Sequence, residues 1–482
     1  MLLFLFQIFI IGLCSVTFVQ ENNKYFKFLS LFLSSFIFLY ALKLLVLFDL
    51  SNYYFQFILR ALINFNFFNV QIVFGLDSIS LLFFLLSTFL IFLCIIFILG
   101  EKRFKFYSLN LLILNFLLLL IFSILDIFLF YIFFEAILIP MFLILGLWGS
   151  RDRKIWAIYM LFFYTLCGSL LMLLGILYIY SCVGTFSLEY ILLFSFSDVE
   201  QYFLWLAFFL SFASKIPIFP LHIWLPEAHV EAPTVGSVIL AGVLLKLGVF
   251  GFLRFSLALF PKASLYFVPF VYSLCVMGVL YASFTALRQL DLKRIVAYSS
   301  VAHMNLIVLG LFSFNFCGLE GALFQSLSHG FVSSALFFLV GMLYSRYHTR
   351  SLYYYSGLVT TMPIFCFFLF FFTLANIALP GTSSFIGEFL ILLGSFQLNF
   401  KATFLAAFSV IISGSYSLWV YNRIAFGNIK YVYLNSYMDL NLREFCILLP
   451  LFFLTLCLGI FSLTCFNFFH SSCINLLLLN FF

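Results

Sequence analysis

The sequence predicts an all-α integral membrane fold of about 14 transmembrane helices, with the seventh and twelfth broken inside the bilayer. Three observations predict it. Hydrophobic residues make up 66% of the 482 residues and charged residues only 8%, against roughly 45–50% and 25% in soluble domains. The mean hydropathy is +1.22. Apolar runs of about 18 residues or more recur from end to end, enough to cross a hydrocarbon core about 30 Å thick. Two of these runs are interrupted by proline and glycine with an ionisable residue beside the interruption. Barrel strands would need only about ten alternating residues, so the runs read as helices.

The expected helices are 2–19, 28–49, 75–99, 107–124, 126–147, 156–181, 203–222, 234–258, 265–286, 295–314, 319–344, 361–395, 402–426 and 443–465. Residues 1–19 lack a basic leader and a small-residue cleavage site, so they read as a retained helix rather than a removed signal. Residues 186–197 (FSLEYILLFSFS) read as interfacial. Loop charge tests the count, because Lys and Arg accumulate on the side that is not translocated. Loops after odd-numbered helices carry sixteen of the 23 basic residues and the opposite side carries four, Arg60, Arg254, Lys262 and Lys401. An even number of helices then puts both termini on the basic-poor side.

Lys43, Lys215 and Lys246 remain, inside apolar runs. A charge at the bilayer centre costs about 2.5–3.5 kcal/mol on insertion scales, so such residues face the protein interior and mark function. Glu135 lies midway in LFYIFFEAILIPMFLILGLW, and Lys246, in GSVILAGVLLKLGVFGFLRF, lies twelve residues past the start of its helix at 234, about 18 Å along the helix and beyond easy snorkelling. Lys215 precedes Pro217 and Pro220, each lacking an amide proton. Glu388 follows a second interruption at Pro380, Gly381 and Gly387. The two breaks sit five helices apart, which points to two inverted halves, helices 4 to 8 and 9 to 13. The organisation is therefore 1–100 for the first three helices, 101–260 and 261–430 for the two halves, and 431–482 for the last helix and tail.

His222 and His229 are seven residues apart, too wide for a zinc pair at i, i+4. His303 and His329 lie in the next half, and His348 and His470 read as loop or interface residues. The eleven cysteines contain no CxxC pair and mostly lie in apolar runs, so they read as packing residues. No Walker loop or strand-linked GxGxxG occurs, which leaves no nucleotide or iron–sulfur chemistry in this chain. The 76 phenylalanines, with abundant Ile, Tyr and Asn, fit an AT-biased organellar genome; a nuclear gene would contradict that.

The physical logic is a proton relay. Burial moves Lys and Glu pKa values towards neutrality, where His already lies. Such groups, bridged by water and hydroxyls such as Ser214 and Ser328, pass protons without a bare charge crossing lipid. The bland alternatives are that buried charges only lock helices together and that each His is a satisfied core residue.

HIWLPEAHVEAPTVGSVILAGVLLKLG, FYIFFEAILIPMFLILGLWGSRDRK and LRQLDLKRIVAYSSVAHMN together resemble the chain 4 branch of the antiporter-like membrane subunits of NADH:ubiquinone oxidoreductase, respiratory complex I. The resemblance spans roughly residues 75–465. It implies fourteen helices in two inverted five-helix repeats, with proton translocation driven at a distance by redox chemistry. FMN, iron–sulfur clusters, NADH and ubiquinone would belong to other subunits, leaving no cofactor here. By the same resemblance, Glu135 and Lys215 form a coupling pair, Lys246 is the central relay, and Glu388 is the exit-side terminus. His222, His303 and His329 match the hydrated axis, whereas His229 shapes the broken helix and Glu227 and Glu231 stand outside the relay. Glu rather than Lys at position 388, and no long lateral C-terminal helix, favour chain 4 over its chain 2 and chain 5 siblings. Those siblings and cardiolipin are the implied partners. The implied location is the mitochondrial inner membrane, basic loops in the matrix and both termini in the intermembrane space. The same buried residues would also serve a stand-alone cation/proton antiporter, or, if their charges only lock helices, a structural spacer.

Overall fold

Among the described residues of the computed structural model, which are 1–19, 24–52, 54–65, 68–101, 103–430 and 438–481, eleven helices are long and apolar enough to cross a membrane. In chain order the helices are α1 (Leu2–Phe18), α2 (Lys24–Val46), α3 (Ser78–Phe97) and α4 (Phe104–Ser123). Next come α5 (Ile127–Trp148), α6 (Lys154–Val183), α7 (Asp198–Lys215), α8 (Trp224–Glu231) and α9 (Thr234–Leu259). The second half contains α10 (Val268–Arg288), α11 (Leu292–Leu311), α12 (Phe316–Tyr347), α13 (Pro363–Asn376), α14 (Ser383–Leu398) and α15 (Phe400–Ala425). The chain closes with α16 (Leu442–Ile460) and α17 (Ser462–Phe481). The shorter apolar helices α1, α13 and α14 fall where the sequence predicts crossings.

Helix starts follow local chemistry. Asp77 accepts from the Ser80 amide at 2.9 Å to open α3, and Asp126 accepts from the Leu129 amide at 2.9 Å to open α5. Ser197 with Glu200, and Asn441 with Glu444, form capping boxes on α7 and α16. Each box satisfies amides that a helix start leaves unpaired.

The expected interruptions occur, with one shift. The seventh helix does not end at 222: α7 stops at Lys215 and helix resumes as α8 through Glu231. Pro217 and Pro220 lie in the break, but Pro226 lies in the first turn of α8, where a missing amide proton removes no bond. Trp224 Nε1 donates to the freed Ser214 carbonyl at 2.8 Å across the break. The second break has the same staple, with Ser384 Oγ donating to the Ala375 carbonyl. There Ala378 and Gly381 take positive φ, 65° and 97°, to turn the chain.

A second matched device occurs once in each half. Asp126 bridges Ser187 where the α4–α5 linker meets the segment after α6, and Asp291 bridges Ser351 where the α10–α11 linker meets the segment after α12. Five helical passes separate the two Asp residues, so the bridges lie at opposite ends of the bundle, as two inverted halves require.

Two elements lie outside the expected helices. Residues between α2 and α3 form an antiparallel hairpin, β1 (Gln56–Phe65) with β2 (Phe68–Leu76), in register Leu59 to Phe74 and Phe65 to Phe68. Leu125 N–H donates to the Val73 carbonyl at 2.9 Å, tying the hairpin to the start of α5. The tail is helical as α17, because its apolar face has somewhere to pack: Ser472 Oγ lies 2.6 Å from Ser78 Oγ, and the Phe468 ring lies 5.3 Å from Phe48. The interfacial segment 186–197 contains one helical turn, Leu188–Ile191.

Candidate proton pathway

The α9 segment is buried on every side, and Lys246 within it has no exposed surface. Two π-helical turns, Leu240–Leu244 and Phe252–Ser256, flank it. A π turn shifts the hydrogen-bond ladder by one residue and leaves carbonyls free. Lys246 Nζ donates to a carbonyl of the first of these turns, that of Ala241, five residues back. Its other contact is His329 Nδ1 at 2.9 Å. An ammonium can only donate, so with Lys246 charged Nδ1 accepts and the imidazole proton sits on Nε2. With Lys246 neutral, the same contact runs the other way, and the two groups share one proton.

From His329 the row continues across the second half. The His303 and His329 rings lie 5.7 Å apart between centroids. His303 Nε2 lies 3.2 Å from Asn376 Oδ1, and its Nδ1 lies 2.9 Å from Glu388 Oε1. Gln325 Nε2 donates to that same oxygen at 3.1 Å, and Ser328 Oγ donates to Gln325 Oε1 at 2.9 Å. Lys246, His329, His303 and Glu388 are all at most 5% exposed. The structure therefore brings together four of the seven predicted residues.

The other three stand apart. Lys215 is buried, but its Nζ donates to the Phe134 carbonyl at 3.3 Å and sits 4.2 Å from the centre of the Phe134 ring. The expected Glu135 partner does not close an ion pair with it, and Glu135 Oε1 finds no hydrogen-bond partner among the described residues. The cation is held instead by the carbonyl and ring of the residue before Glu135. His222 packs against Phe219 at 5.6 Å and Tyr281 at 5.1 Å between ring centroids, facing α10 rather than the row. Lys43 is exposed and lies 5.7 Å from the Tyr40 ring, so it does not share the burial of the other two.

Sequence reasoning missed several buried polar groups. Gln325 and Asn376 connect the row; the i, i+3, i+4 spacing of Gln325, Ser328 and His329 on an apolar helix was the available signal. Arg254, Lys293 and Arg350 were counted with loop charges, yet each is at most 7% exposed. Arg254 pairs with Asp77 at 2.7 Å. Arg350 donates to the Val230 carbonyl and to Ser150 Oγ and lies 3.7 Å from Glu231. Glu227 pairs with Arg294 at 2.9 Å, which keeps both glutamates of the α8 segment in basic-side ion pairs.

Broken helices facing a buried Lys–His–His–Glu row define an antiporter-like membrane subunit. A family described as NADH:quinone oxidoreductase/Mrp antiporter, transmembrane, matches residues 125–413, and the chain belongs to this family. It is 52% identical over 460 residues to NADH-ubiquinone oxidoreductase chain 4 of Chondrus crispus, covering 95% of this chain and 93% of that one. It is 50% identical to the Arabidopsis thaliana chain 4 over 474 residues, with 97% and 95% coverage. Among solved structures, a chain of respiratory complex I from Thermus thermophilus with bound NADH superposes with a TM-score of 0.89 at 30% identity over 99% of both chains. A chain of the Mrp complex from Dietzia sp. shares the fold, with a TM-score of 0.85 at 18% identity over 98% and 97% of the chains.

Proposed function

We propose that the chain is the proton-translocating, antiporter-like chain 4 subunit of the membrane arm of respiratory complex I. The observation that carries the relay is the buried row Lys246, His329, His303 and Glu388, with polar atoms 2.9 Å apart at each end and the two imidazole rings 5.7 Å apart between them. A buried Lys with a neutral His as its side-chain partner, next to a His with a carboxylate partner, holds a mobile proton at one end and an acceptor at the other. A proton leaving Lys246 passes to His329 Nδ1, His329 releases its Nε2 proton towards His303, and Glu388 takes the proton that His303 gives up. Lys215, set on the Phe134 carbonyl beside Glu135, is the element whose displacement changes the field at Lys246. Proximity of fixed charge shifts the proton affinity of the next group.

FMN, iron–sulfur clusters, NADH and ubiquinone act in other subunits, and this chain binds none of them. Its neighbours in the arm are the chain 2 and chain 5 siblings, with cardiolipin against the basic loops. It lies in the mitochondrial inner membrane with its basic face in the matrix and its termini in the intermembrane space. Replacing Lys246 with Met tests the reading. The assembled complex should oxidise NADH with strongly reduced proton pumping. Normal pumping from that variant would leave the row a structural lock.

A further inference from the structure

Both ring nitrogens of His303 face a polar group. Nδ1 lies 2.9 Å from Glu388 Oε1, and Nε2 lies 3.2 Å from Asn376 Oδ1. The incoming proton would come from His329, whose Nε2 finds no hydrogen-bond partner among the described residues, across a ring-to-ring distance of 5.7 Å. An imidazole that takes a proton on one nitrogen and gives one from the other turns from acceptor to donor at the first. The group facing Nε2 must serve both forms. A carboxamide can, because its oxygen accepts and its nitrogen donates.

Asn376 is the last residue of α13, at the edge of the second break. It borders a cavity of about 40 Å³ among α11, α12, α13 and α15, whose walls are apolar apart from Ser299, Thr373, Asn376, Tyr416 and Ser417. That is space for a water, and for an amide to turn. Tyr416 Oη is buried and falls short of a full hydrogen bond among the described residues, although Asn376 and Ser299 stand beside it and Glu388 is close enough to interact with it. With Asn376 Oδ1 on His303, its Nδ2 meets hydroxyl oxygens; Ser299 Oγ, which donates to the Val296 carbonyl at 2.9 Å, keeps its lone pairs for such a donor. With Nδ2 on His303, Oδ1 accepts from Tyr416 Oη–H. Neither orientation strands a buried polar group, so neither carries that penalty. The other amide of the row has no such freedom: Gln325 donates from Nε2 to Glu388 and accepts at Oε1 from Ser328.

We propose that Asn376 is a two-way positioning residue for His303, its amide turning as the imidazole takes a proton on Nε2 and gives one from Nδ1, with Tyr416 as the partner of the turned amide. The inference rests on the relay reading above. Before transfer His303 carries its proton on Nδ1, against the Glu388 carboxylate, and Asn376 Nδ2 donates to Nε2. As the amide turns away, Nε2 takes the proton of His329 Nε2 and Nδ1 passes its own to Glu388 Oε1. Asn376 Oδ1 then accepts from the new Nε2–H. One N–H bond breaks on His329, one forms and one breaks on His303, and one O–H bond forms on Glu388, so a single proton advances along the row. Once Glu388 has released it and the imidazole again holds its proton on Nδ1, the amide turns back.

The test uses the whole complex in sealed vesicles, with the rate of acidification at saturating NADH measured in ordinary and in heavy water, and native gels as the assembly check. Asn376→Leu keeps the volume and removes donor and acceptor together. The rate should fall about tenfold, the scale of one lost hydrogen bond to a buried group. The ratio of rates in ordinary and heavy water should rise, because transfer at His303 becomes the slow step. Tyr416→Phe, which leaves Asn376 and every relay side chain in place, should change both quantities in the same direction, and it decides alone if Asn376→Leu does not assemble. A slower rate with an unchanged isotope ratio would make Asn376 a packing residue and overturn the proposal, as would normal pumping from Tyr416→Phe. If Lys246→Met is defective while Asn376→Leu and Tyr416→Phe pump normally, the turning amide falls and the relay stands. If Lys246→Met also pumps normally, both fall.

Discussion

Lys246 Nζ and His329 Nδ1 stand 2.9 Å apart, and among the described residues no carboxylate pairs with Lys246, so the buried amine is held by an imidazole rather than by an anion. A full ion pair would pin the proton, whereas this contact leaves it transferable. His329→Gln keeps an oxygen that can accept from Lys246 but cannot pass a proton onward. Pumping should fall by about 10²-fold in flux through this chain while assembly persists, measured as dye-reported acidification per NADH oxidised.

Glu388 receives Gln325 Nε2 at 3.1 Å and faces His303 Nδ1 at 2.9 Å. Gln325→Leu removes the neutral donor and leaves the carboxylate dependent on His303. The expected outcome is slower pumping with a loss of about 1–3 kcal/mol in stability. Thermal unfolding of the purified complex and vesicle pumping measure the two effects. Unchanged values for both would remove Gln325 from the site.

Gly387 lets α14 approach α12 closely, since a Cβ added there would lie 2.8 Å from Gln325 Cα and 2.6 Å from its Oε1. Gly387→Ala should therefore push α14 away and move Glu388 off Gln325, at a cost of about 1–3 kcal/mol. A fall in both melting temperature and pumping is expected. Pumping lost without any change in melting would contradict the packing argument.

Phe134 offers Lys215 a carbonyl at 3.3 Å and a ring at 4.2 Å. Phe134→Leu keeps the carbonyl and removes the ring, worth about 0.5–2 kcal/mol to a desolvated cation. Coupling between NADH oxidation and pumping should weaken measurably but survive, whereas Lys215→Met should abolish it. Equal effects from the two variants would show that the ring, not the charge, sets the coupling.

Burial pushes the Asp126 carboxyl up to about 6, above an ordinary value of about 3.9. The folded chain then binds more protons than the unfolded chain between about pH 4 and 6, so this group's contribution to stability rises as pH falls through that window. The size is on the order of 2–3 kcal/mol. Asp126→Asn keeps an oxygen for the Leu129 amide and should remove that part of the pH dependence. Melting temperatures at pH 7.5 and 5 check it, and an identical pH slope in both proteins would sink the assignment.

The sequence by itself determined the bilayer setting, the helical class and both interruptions, because hydropathy, helix length and the prolines at 217, 220 and 380 act locally. It also placed Lys246 and His329 well inside apolar helices, His303 within the helix expected at 295–314, and Glu388 just past the second interruption. Only the tertiary structure decided which of them meet. Helix phase sends His222 towards Tyr281 and His329 towards Lys246, and the packing of α12 on α14 supplies Gln325 to Glu388. The structure alone also turned Lys293 and Arg350 from loop charges into buried caps on the end of α8. Burial of a terminal residue depends on what folds over it, and nothing in its own sequence neighbourhood encodes that.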